Sequence, residues 1–76
     1  MAIKILDTIV LLIDIPEHGL KKGDLGAVVE TYPPDGLEVE FVLGSGKTLA
    51  LLTLSESDVR SISDTDVLSV RSENAA

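Results

Sequence analysis

Seventy-six residues leave room for one domain, which at this size buries only about 60–65% of the surface its unfolded chain exposes. With no cysteine the chain has neither disulfides nor a thiolate metal site, and at 45% hydrophobic residues it is too apolar for wholesale disorder. Thirteen acidic against six basic residues, a net charge of −7, disfavour nucleic acid and anionic membranes, and a basic protein partner is the natural complement.

The chain opens Met1-Ala2-Ile3-Lys4 and meets Asp7 before any apolar run. The run Thr8 to Ile13 is far short of the roughly 20 residues a membrane helix needs, and no signal-peptide pattern precedes it. The expected location is the cytoplasm. Thr8 to Ile13 is the first expected strand, and a loop from Asp14 to Asp24 follows with Pro16, Gly19, His18 and the adjacent Lys21 and Lys22. The second strand is expected over Leu25 to Tyr32. Pro33-Pro34-Asp35-Gly36 makes the next turn, with Gly36 expected at positive φ.

Leu37 to Leu43 is the third expected strand and alternates cleanly, with Leu37, Val39 and Phe41 on one face and Glu38 and Glu40 on the other. Gly44-Ser45-Gly46-Lys47 forms a hairpin turn into a fourth strand, Thr48 to Leu54. Ser55 to Asp58 suits a single 3₁₀ turn with Ser55 as its cap, and Val59 to Ile62 is the fifth strand. The domain is therefore expected over residues 1–62, as an all-β, five-stranded SH3-like barrel with a 3₁₀ turn before its last strand. Residues 63–76 form a polar tail, in which Val67, Leu68 and Val70 suggest a short extra strand at 67–71 or a flap over the barrel.

The segment Leu20-Lys21-Lys22-Gly23-Asp24-Leu25-Gly26-Ala27-Val28-Val29-Glu30, followed by Leu37-Glu38-Val39-Glu40-Phe41, resembles the core shared by several SH3-like barrel families. Together with Ile5-Leu6-Asp7, Asp14-Ile15-Pro16 and Thr48 to Leu54, it resembles the DUF4926 family of uncharacterised bacterial proteins, frequent in cyanobacteria. The resemblance covers roughly residues 3 to 62 and implies a barrel but no activity. More distantly the core is similar to the small SH3-like barrel proteins of photosystem I and of the cyanobacterial NADH-dehydrogenase-like complex. That likeness implies partner docking, although those proteins dock with basic residues and this chain is acidic.

Gly23-Asp24-Leu25-Gly26 reads as a turn starting the second strand, with Asp24 accepting local amides; the functional alternative is a backbone anion cradle. Gly23, Asp24, Gly26, Gly36, Gly44 and Gly46 are thus all expected at turns. Gly44-Ser45-Gly46-Lys47-Thr48 mimics the end of a phosphate-binding loop, but the first glycine of that motif would fall at Phe41 and a strand follows. His18 is the only histidine. Any Ser-His-Asp set would have to use it, and no nucleophile is brought to it, so no catalytic residue and no cofactor are expected.

Glu38 and Glu40, with Glu30 on the neighbouring strand, are expected to form an acidic ladder, either solvated or docking a basic partner. Ile9 to Ile13 and Leu49 to Leu52 are apolar at consecutive positions, so both faces of these strands are greasy. The loop, the tail, a second copy or another protein must cover the face the core does not use. Leu49 and Leu51 are expected in such a contact, and Asp14 and His18, with Glu17, are the loop residues that a partner or a metal would meet. The expected function is a non-enzymatic protein-interaction module, an antitoxin-like or accessory companion of a basic partner. A small structural subunit of a photosynthetic or respiratory complex, and a metal or small-molecule sensor, are the alternatives.

Overall fold

A computed structural model describes residues 2–73. Five strands, β1 (Thr8–Leu11), β2 (Leu25–Tyr32), β3 (Gly36–Val42), β4 (Thr48–Ser55) and β5 (Val59–Ser61), form one antiparallel sheet in the order β4-β3-β2-β1-β5. The fold is all-β with five strands as expected, and a 3₁₀ turn at Glu56–Asp58 joins β4 to β5. Ser55 caps that turn as expected: its Oγ accepts from the Ser57 amide, while Asp58 takes the Ser55 amide at 3.0 Å. Among the described residues no helix is long and apolar enough to cross a membrane.

The alternation of β3 sets the sidedness of the sheet. Leu37 and Val39 are fully buried, and Ile9, Leu11, Val28 and Phe41 complete the centre of the core. Two contributions come from outside the strands. Ile3 enters the core from the amino-terminal segment, and the loop after β1 folds Ile15 and Leu20 into it. Ile15 and Leu20 bond each other through both amides, at 3.0 and 3.1 Å, around a 3₁₀ turn at Pro16–His18. The Asp14–Asp24 loop is therefore one cover for the apolar interior. β1 stops at Leu11, short of the expected Ile13, because the Leu12 amide bonds Asp58 O (2.8 Å) in the turn before β5 rather than a ladder partner.

Two glycines expected at turns lie in strands instead. Gly26 is buried inside β2. A Cβ there would sit 2.6 Å from Val39 Cγ1 and 2.9 Å from Phe41 Cε1, so the residue is a close-approach glycine that lets β2 lie under the large side chains of β3. Gly36 pairs with Tyr32 as the first residue of β3 and does not adopt positive φ; its bare Cα makes room for Tyr32, whose Cβ would lie 3.1 Å from an added methyl. The turn itself is Pro33-Pro34-Asp35, with a cis bond between the prolines. Gly23, Gly44 and Gly46 do occupy turns, Gly46 (φ 90°) closing the β3–β4 hairpin with a 2.9 Å bond to Leu43 O.

No strand forms over 67–71. Two ion pairs route the tail instead. Arg60 grips Asp66 through both guanidinium nitrogens at 2.9 Å, and Arg71 reaches back to Asp24 and to Gly19 O (2.9 Å). Held at both ends, the segment crosses beside the Asp14–Asp24 loop rather than along a strand edge. It does not cap the sheet either, since Val67 and Val70 are among its most exposed side chains.

Candidate functional site

The three strands β2, β3 and β4 contain none of the chain's six basic residues. Their outer face carries Glu30, Glu38 and Glu40. Alternation alone would not place Glu30 there: Gly26 and Val28 face inward, so an unbroken strand would turn Glu30 inward too. A β-bulge at Val29 shifts the register between Val28↔Val39 and Glu30↔Glu38, which brings Glu30 directly opposite Glu38 on the outside. The expected acidic ladder is present, and an irregularity that leaves no clear mark in the sequence builds one of its rungs.

Two rungs are positioned by threonines from β4. Thr53 Oγ1 donates to Glu38 Oε1 at 2.5 Å and Thr48 Oγ1 to Glu40 Oε2 at 2.6 Å, while Glu30 takes the Thr31 amide at 3.0 Å. These hydroxyls orient the carboxylates without neutralising them. Apolar side chains frame the row: Leu51, paired with Glu40, is 53% exposed, Val42 is 57% exposed and Tyr32 is 47% exposed. The face is thus acidic in its middle and apolar at its margins.

The doubly apolar strands meet different fates. Val10, on the outer side of β1, is only 7% exposed although it lies outside the core cluster; its neighbours across the ladders are Leu25 of β2 and Arg60 of β5. The chain covers that face itself. In β4, Leu49 packs against the core and Leu51 remains open.

The loop candidates stay apart from the acidic face. Asp14 Oδ1 accepts the Lys22 amide at 2.8 Å, and Glu17 and His18 are exposed in the 3₁₀ turn. Among the described residues no three His, Cys, Asp or Glu side chains gather as a metal site would require. Asp24 does accept a local amide, from Lys21 at 2.8 Å, and in addition receives Arg71 Nε at 2.8 Å. Burial pushes the Asp24 carboxyl up, but the Arg71 hydrogen bond and charge and the Lys21 amide outweigh it and hold the group below its ordinary 3.8. Asp66 is lowered further by the Arg60 hydrogen bond and the Ser63 amide. A groove of about 500 Å³ runs between this tail and the sheet, with Leu20, Leu25, Val42 and Leu49 on one side and Val70 and Arg71 on the other.

A family model described as a domain of unknown function (DUF4926) matches residues 5–61, and the chain belongs to that family. Comparison with curated proteins and with solved structures gave no match.

Proposed function

We propose that this DUF4926 member is a non-enzymatic interaction module that docks a basic protein partner on the outer face of β2, β3 and β4. The observation that carries the reading is the Glu30–Glu38 pair, set face to face by the bulge with no cation in any of the three strands. Like charges directly opposite one another in a sheet destabilise it. A feature that costs stability and is held in place by a register shift serves something other than the fold.

The exposed Leu51, Val42 and Tyr32 supply the desolvated margin that gives such a contact affinity, and the glutamates supply steering and specificity. A companion that shields a basic surface of its partner, in the manner of an antitoxin, and an accessory component of a larger assembly are two forms of this one activity. A cytoplasmic location belongs to the same reading, and a chain without cysteine suits a reducing compartment.

The test is parallel affinity capture from native lysate with the wild-type chain and a Glu38→Lys/Glu40→Lys variant, each washed at rising salt. A partner with a basic surface, held by the wild type, released by salt and lost with the variant, is the expected result. A partner retained equally by both proteins would show that the acidic face is not the docking surface.

A further inference from the structure

β4 ends the sheet, and its outer edge is open. The direction of its backbone groups follows from the ladders. Val28 exchanges bonds with the β1 side, accepting from the Leu6 amide at 2.7 Å and donating to Asp7 O at 2.9 Å. Successive residues of an antiparallel strand point their amides to alternate sides. Ala27 therefore bonds across to Glu40, and Val39 and Phe41 bond across to Leu52 and Ala50. Leu51 and Thr53 are left with N–H and C=O turned away from β3, toward the open side.

Natural edge strands are blunted by lysine, by proline, by inward charges or by a covering segment. Thr48–Ser55 contains no charge and no proline, and it is the longest charge-free run in the chain. Its register shift lies at the hairpin end, between Phe41 and Val42, and leaves Leu51 to Ser55 in regular pairing. Among the described residues no further strand lies beyond it.

The edge also selects its occupant. A strand rich in Lys or Arg would find no carboxylate on β4 itself, because Glu38 and Glu40 lie one strand inward and are bonded to Thr53 and Thr48. An uncharged, apolar edge is complemented by an uncharged, apolar strand, and β4 is that strand. We infer that two copies of this chain associate through antiparallel β4–β4 pairing, with Leu51 and Thr53 of each copy exchanging backbone hydrogen bonds across a two-fold axis. On the outer face each exposed Leu51 side chain then lies opposite Thr53 of the other copy and diagonal to its Leu51. The β3 glutamates of the two copies are separated by three inter-strand spacings, about 14 Å, beyond the roughly 8 Å screening length at physiological salt. The paired sheets present two acidic faces side by side, an arrangement that goes beyond the docking of one basic partner and needs no partner for its test.

Sedimentation of the purified full chain over a wide concentration range is expected to show twice the chain mass at high concentration. Leu51→Pro removes the outward N–H without touching a bond to β3 and is expected to weaken association at least tenfold. Leu51→Glu keeps the backbone intact, sets two like charges diagonally across the axis in place of apolar contact and is expected to do the same, so a Leu51→Pro chain that fails to fold still leaves a usable variant. Hydrogen exchange read by NMR should show Leu51 and Thr53 amides gaining protection as concentration rises. A wild-type chain that stays monomeric throughout, a dimer unaffected by Leu51→Glu, or a dimer whose Leu51 and Thr53 amides exchange freely would each overturn the proposal.

Discussion

β1 and β4 start from the same sequence pattern, an unbroken apolar run, and end with opposite exposures: Val10 is 7% and Leu51 53% accessible. Composition does not separate them; their places in the strand order do. β1 lies between β2 and β5, so its outer side chain is flanked on both sides, by Leu25 and Arg60. Among the described residues β4 has a neighbouring strand on one side alone. A doubly apolar strand is thus ambiguous by itself: inside a sheet it needs no partner, and at the edge it invites one.

The largest effect that would test this contrast is a charge placed on each strand. Val10→Asp puts a carboxylate into a covered site whose facing Arg60 is already taken by Asp66, and is expected to destabilise the chain by about 3 kcal/mol or more, whereas Leu51→Glu, exposed but set opposite Glu40, should cost the monomer no more than about 1 kcal/mol. Urea unfolding of the two variants decides the matter, and equal losses would erase the distinction. Gly26→Ala carries the contrast to the inner side of the sheet. Its methyl would press on Val39 and Phe41, and the expected loss is about 1–3 kcal/mol, while Gly44→Ala, with open space around it, is expected to lose no more than about 0.5 kcal/mol.

A smaller effect of opposite sign is expected at the acidic row. Glu30→Lys replaces a like-charge pair by an opposite one and should raise stability by about 0.2–1 kcal/mol while weakening partner binding. A variant that is both more stable and equally competent in capture would remove the argument from the bulge. The smallest effect belongs to the tail. Asp24 has a folded-state pKa below its ordinary 3.8, so its contribution to stability is present above that value and is lost as pH falls through the folded-state pKa. Arg71→Ala should move the Asp24 titration upward, read by NMR of the side-chain carboxyl; an unmoved titration would mean that the tail is not held there in solution.

The strands were legible because their signals are local. The alternation of Leu37 to Phe41, the Gly44–Lys47 hairpin and the Ser55 cap each declare themselves within a few residues, and each is present in the fold. What was not legible depends on residues far apart. Gly26 looks like punctuation until Phe41 is laid over it, fifteen positions later in the chain. The bulge at Val29 is invisible because Val-Val-Glu reads equally well as regular strand, and only the pairing with β3 shows two residues opposite one. The Ile3, Ile15 and Leu20 contributions to the core, and the Arg71–Asp24 pair, are likewise set by topology. For the candidate site, the glutamates were readable from alternation, whereas the open edge beside them required knowing that β4 is last in the sheet.

The tail has a mechanical consequence. A pull on the carboxyl-terminal side does not reach β5 directly. It is borne first by Arg71 on Asp24 and Gly19 O, then by Asp66 on Arg60, and only after both give way by the three-residue β5. Two surface ion pairs in series thus act as tethers that yield before the sheet is loaded. They also mean that the mechanical unit extends to Arg71, ten residues beyond the last residue matched by the family model.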